Sequence, residues 1–153
     1  MAPLIALLLG TGAAAVAAAL GVELLEPWTA RLAIGLAVML LLTGSAHFVP
    51  RPRRRGLIAM VPPWVPAPHL VVTATGLLEL AAAAGLVTTV GEPVVRSWIA
   101  AGVAVFLVAV FPANLHAARG HAGPEAPATP LLRRSVLQAV YLVAALVVAV
   151  DGL

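Results

Sequence analysis

Glu79 is the residue of this chain best placed to do chemistry, because it interrupts the apolar run LVVTATGLLELAAAAGLVTTV from Leu70 to Val90. In a bilayer-crossing helix that position is about 13 Å deep. A carboxylate exposed to lipid there costs roughly 3 kcal/mol or more, so it must face a bundle interior or be protonated. Thr75, Gly76, Ala82 and Ala83 share its helical face and are small enough to let another helix come close. Two roles fit. Glu79 is either a protonatable group in a pocket or proton path, able to hold a polar headgroup, or a neutral acid that hydrogen-bonds a neighbouring helix and fixes the packing.

His47 ends the motif TGSAH (Thr43 to His47), which repeats the Thr, Gly and ionisable-residue stripe of TGLLE (Thr75 to Glu79). Counted from the span ends, His47 is shallower than Glu79 by about 10 Å, so a direct hydrogen bond between them requires shifted boundaries or a bridging water. The alternative for His47 is an interfacial ring satisfied by backbone or headgroups. In FPANLHAARGH, Pro112, Asn114, His116, Arg119 and His121 gather near a helix exit. Pro112 frees a carbonyl one turn back, which Asn114 can satisfy unless it reaches a neighbouring helix. Arg134, Gln138 and Tyr141 form a polar stripe at i, i+4 and i+7, with Tyr141 level with Glu79. Glu79, Gln138 and Tyr141 are therefore expected to meet in one interior pocket, with Thr75, His47, Asn114 and His116 as further candidates. The plainer alternative is a set of polar residues each bonding locally.

The histidines are not at metal-ligand spacing and no acid completes a triad, so no metal is expected. The chain has no cysteine, which removes disulfides, thiolate metal sites and thiol redox chemistry. Phosphate-binding loops, dinucleotide fingerprints and nucleophile elbows are absent from the sequence. No catalytic residue is identified, and a redox role would need a bound cofactor or partner.

The elements that must position these residues are helices. Hydrophobic residues make up 62% of the chain and charged ones 10%, the composition of a membrane protein. Five runs are long enough to cross a bilayer: Pro3 to Leu25, Ala30 to Val49, Leu70 to Val90, Ser97 to Phe111 with an extension to His116, and Leu131 to Val150. Together they predict an all-α transmembrane bundle forming a single domain. A signal peptide is the alternative for the first run, but Met1 to Leu20 has no positive n-region.

With five crossings, Arg51, Arg53, Arg54, Arg55, Arg119, Arg133 and Arg134 fall on one side, and only Arg31 and Arg96 on the other. The positive-inside rule then puts the N-terminus in the cytoplasm and the C-terminus outside a bacterial-type plasma membrane. Glu23, Glu26 and Asp151 read as solvated acids at the outer boundary. Residues 57–69, with Pro62, Pro63, Pro66 and Pro68, cannot be an ordinary span. They are expected at the cytoplasmic interface as a re-entrant piece or surface loop, with Trp64 at headgroup level. Arg51, Arg53, Arg54, Arg55 and Trp64 are the expected contacts to lipid headgroups or a partner. Aromatic residues are too sparse near these arginines for nucleic-acid stacking.

The ordered motifs LLTGSAHFVP, MVPPWVPAPHLVVTATGLLEL and VFPANLHAA resemble the DoxX-like family of small integral membrane proteins over roughly Ala30 to Val150. The resemblance implies a core of four transmembrane helices marked by His47, Glu79, Pro112, Ala113 and Asn114. This chain departs from that plan by its extra N-terminal span. The family includes subunits of quinone-linked oxidoreductases, components of oxidative-stress complexes, and membrane chaperones that assist assembly. The expected function is thus a non-catalytic partner or assembly subunit, with a membrane-protein partner or homo-oligomer. The alternative is a redox component that accepts a quinone near Glu79. A small-solute or proton transporter has less support, since one deep acid without paired broken helices is thin ground.

Overall fold

A proline stands at the start of every membrane-length helix. Pro3, Pro68 and Pro93 sit in the first turns of α1 (Ala2–Ala19), α4 (Pro68–Thr88) and α5 (Pro93–Ala118). Pro27 and Pro130 are the N-caps of α2 (Trp28–Ala46) and α6 (Leu131–Val150). Proline suits these positions because the first helical N–H groups have no intrahelical acceptor and its φ is already helical. The structure is a computed structural model and describes residues 1–50, 53–120 and 130–152. A short helix, α3 (Arg53–Met60), lies between α2 and α4. Among the described residues there is no strand, and the five longer helices are apolar and long enough to cross a membrane.

The first apolar run ends as a helix earlier than expected, because Gly21 takes a φ of 96° and closes α1. Val22 N–H donates to the Ala17 carbonyl and Gly21 N–H to that of Ala18, the paired bonds of a glycine C-cap. The remainder of that run forms a 3-10 turn, Glu23–Leu25. α5 passes unbroken through Pro112. The segment 57–69 divides: Leu57 to Met60 complete α3, and turns lead from there to Ala67, whose φ of 52° swings the chain into α4.

Helices α2, α4, α5 and α6 close a four-membered ring by packing α2 on α4, α4 on α5, α5 on α6 and α6 on α2. α1 packs on the outside of α2. Half of the α2 span is buried against 17% of α1, so α2 is the central helix and α1 the peripheral one. Small residues set the seams. A Cβ on Gly35 of α2 would stand 2.0 Å from Thr11 Oγ1 and 2.6 Å from the Leu7 carbonyl oxygen of α1. The core contains Leu36, Met39, Leu40, Leu86, Val103, Leu107 and Val148, while Leu8, Leu9, Val105 and Leu132 face outward, as an apolar solvent permits.

Candidate functional site

Glu79 is sheltered, with 8% of its surface exposed. It lies on the α4 face that meets α2, where Gly44 and Gly76 bring the two helices together. A Cβ on Gly44 would stand 3.0 Å from Glu79 Cβ, and one on Gly76 would stand 2.6 Å from His47 Cβ. The two Thr-Gly motifs thus face each other across antiparallel helices, and each threonine meets the other motif's ionisable residue. The Thr43 hydroxyl donates to Glu79 Oε2. The Thr75 hydroxyl lies 3.3 Å from His47 Nδ1. His47 Nε2 is 3.4 Å from Glu79 Oε1, and Nδ1 is 2.7 Å from the Val72 carbonyl oxygen.

This direct contact between His47 and Glu79 corrects the depth difference read from the sequence. The helices are staggered: α2 ends level with Val72 to Gly76, so the first turn of α4 projects beyond it. The Glu79 side chain also leans toward the N-terminus of its own helix, the end where His47 stands.

Arg54 of α3 closes the step left by the stagger. Its Nη1 donates to the His47 carbonyl at 2.7 Å and its Nη2 to Thr73 Oγ1 at 2.8 Å. A guanidinium there satisfies a terminal carbonyl of α2 and complements the negative end of its dipole. Arg54 is therefore occupied within the chain and is not an outward contact. Trp64 is 72% exposed and Arg55 is exposed on the same side of the bundle. Arg51 and the side chain of Arg53 lie outside the described residues. His47, one residue past the end of α2, has a raised pKa. Burial lowers it, but the hydrogen bonds to Glu79 and to Val72, with the charge of Glu79, outweigh burial and the opposing charge of Arg54.

The other expected pocket residues gather elsewhere, on α5 and α6. Asn114 Nδ2 donates to Gln138 Oε1 at 3.1 Å, and Arg134 Nη1 donates to Asn114 Oδ1 at 3.2 Å. Gln138 Nε2 donates to the Leu107 carbonyl at 2.5 Å, one residue before the carbonyl that Pro112 leaves without its helical donor. Asn114 thus reaches across to α6, and Gln138 returns a bond to the proline-disturbed stretch of α5. Tyr141 is buried one turn further along, and its hydroxyl meets no hydrogen-bond partner among the described residues. His116 is half-buried in the last turn of α5. The polar residues form two clusters in place of the single pocket, because α2 takes the carboxylate face of α4 while α5 takes the polar stripe of α6.

A third cluster has no counterpart in the sequence reading. Arg96, only 2% exposed, donates from Nη2 to Asp151 Oδ2 at 2.6 Å and from Nη1 to the Val90 carbonyl. Ser97 Oγ donates to the Val148 carbonyl at 3.1 Å and accepts from Gly152 N–H at 2.9 Å. Asp151, expected as a simple solvated acid, instead ties the end of α6 to the start of α5. Opposite charges one turn inside α5 and just past α6, at the same end of an antiparallel pair, were the available signal.

Two grooves run along the α5 and α6 seam. One, of about 270 Å³, is lined by Leu107, Val108, Phe111, Ser135, Gln138, Ala139 and Leu142. The other, of about 450 Å³, is lined by Ala104, Val105, Val108, Ala109, Leu142 and Leu146. Neither is lined by Glu79 or His47. No group of three or more histidines, cysteines or acids able to hold a metal is present among the described residues.

Five apolar crossings, a ring of four helices and polar groups joined between helices define a multi-pass helical membrane protein. Residues 36–149 match the model of a family described as "Domain of unknown function (DUF8561)", and the chain belongs to that family. The match begins within α2 and runs to the end of α6, which leaves α1 outside it. No curated protein and no solved structure matches the chain.

Proposed function

We propose that this chain is a non-catalytic membrane subunit of DoxX-like kind, a partner or assembly factor for another membrane protein. The reading is supported chiefly by the state of Glu79. Both of its carboxylate oxygens are engaged by side chains of α2, so the deepest acid of the bundle joins two helices and faces neither groove. Arg96 and Gln138 are likewise bonded between helices. What the bundle offers outward is an apolar belt and an end rich in arginine. Among the described residues that end carries Arg55, Arg119 and Arg133, with Arg54 and Arg134 bonded to neighbouring helices, and the opposite end carries Glu23, Glu26, Glu92 and Asp151 with Arg31 and Arg96. Exposed Trp28 and Trp98 mark that opposite end and Trp64 the arginine-rich one, as interfacial aromatics do. We place the arginine-rich end in the cytoplasm of a bacterial-type plasma membrane.

The test is purification from native membranes in lipid nanodiscs. A second membrane protein retained in fixed ratio, and lost on bulky substitution of the outward residues Val105 and Leu132, is the expected result. The opposing result is a chain isolated without a partner, whose melting temperature rises on adding a quinone and no longer does so in Glu79→Gln. That outcome would replace the proposal with the redox alternative.

A further inference from the structure

We infer that His47 and Glu79 form a binding site for a single proton in the joint between α2 and α4. The ligand class follows from donor and acceptor chemistry. A carbonyl oxygen can only accept, so the 2.7 Å contact of His47 Nδ1 with Val72 requires a hydrogen on Nδ1. In the neutral ring Nε2 is then a bare lone pair, and it faces Glu79 Oε1 at 3.4 Å. A proton on either atom turns that contact attractive: on Nε2 it makes an imidazolium facing a carboxylate, and on Oε1 a carboxylic acid facing a neutral ring.

Both arrangements contain the same number of protons and no net charge. Releasing the proton to water breaks the Nε2–H or Oε1–H bond and leaves its electron pair behind. The pair then carries one net negative charge, with two lone pairs opposed in a poorly hydrated seam where unpaired charge is costly. Thr43 supports the loaded state by donating to Oε2. The charged groups facing His47 are Glu79 from α4 and Arg54 from α3, and they act in opposite directions on its protonation. The raised affinity of His47 for its proton agrees with the geometry. Its contribution to the joint is fully present below the ordinary histidine value of about 6.5 and is lost as pH rises through the raised one.

Arg54 holds the carbonyl of the same His47 whose ring carries the proton, and it spans to Thr73 on α4.

The test uses the full chain in bilayer nanodiscs with nitrogen-15 histidine, the His47 signals being assigned by their loss in His47→Gln. Nδ1 is expected to be protonated at neutral pH, and His47 to titrate above about 6.5. In Glu79→Gln, where burial and Arg54 act without the carboxylate, titration moves to lower pH. A bare Nδ1, a wild-type titration at or below the ordinary value, or the same titration in both proteins overturns the proton site. The wild-type measurements decide this even if Glu79→Gln does not fold.

Discussion

Replacing Gly76 with alanine tests whether the α2 and α4 seam is as tight as the structure has it. The added methyl would stand 2.6 Å from His47 Cβ, 2.9 Å from its Cγ and 3.0 Å from Phe48 Cε2. His47 Cβ is fixed to the backbone and cannot swing away, so the helices must separate. Overpacking of this kind costs about 1–3 kcal/mol. Separation also weakens the contacts of His47 with Glu79 and Val72, at about 0.6 kcal/mol each in a membrane protein. Alanine's better helix propensity returns up to about 1 kcal/mol, so the net loss is roughly 1–3 kcal/mol. Gly102→Ala is the internal control, because a Cβ there meets nothing within 4 Å among the described residues. It is expected to be neutral, or stabilising by up to about 1 kcal/mol. Reversible unfolding in mixed detergent micelles, followed by circular dichroism, compares the two. Equal stability of the two variants would refute the close approach at Gly76 and the stagger that depends on it.

The remaining expectations concern the other seams. Asp151→Ala leaves a cation that is only 2% exposed without its carboxylate, and should cost about 3 kcal/mol or more in the same unfolding assay. The double variant Arg96→Met with Asp151→Ala should recover a large part of that loss; no recovery would mean the ion pair is not the cause. Tyr141→Phe should fall within about 1 kcal/mol of the wild type, since its hydroxyl meets no hydrogen-bond partner among the described residues. A loss above about 2 kcal/mol would reveal a partner for that hydroxyl. Gly35→Leu should expel α1 from α2 while the ring persists, read as lost hydrogen-exchange protection in residues 2–19 with protection kept in α4 and α6. Protection lost throughout would make α1 integral to the ring.

The five helices were legible in the sequence because a bilayer demands length and apolarity, and both can be counted residue by residue. The helix ends were less so. Gly21 and Ala67 act through backbone conformation, which hydropathy does not register. At the site, Thr75, His47 and Glu79 were legible as candidates, and the repeated Thr-Gly stripe was the trace of their joint. Their contact was not, because depth counted from span ends assumes that helices begin and end level, whereas α2 stops short of the start of α4. Gln138 and Tyr141 carry the right polarity at the right depth, but depth does not say which neighbour a face meets. The pairing of Arg96 with Asp151 links residues 55 positions apart and depended on knowing that α5 and α6 are adjacent.

The most direct measurement is a dipolar-recoupling distance in lipid bilayers between nitrogen-15 at His47 Nε2 and carbon-13 at the Glu79 carboxyl. A strong coupling consistent with the 3.4 Å separation of Nε2 and Oε1 is expected near neutral pH. A coupling too weak for that separation would contradict it, and the acid would have to find its shelter elsewhere.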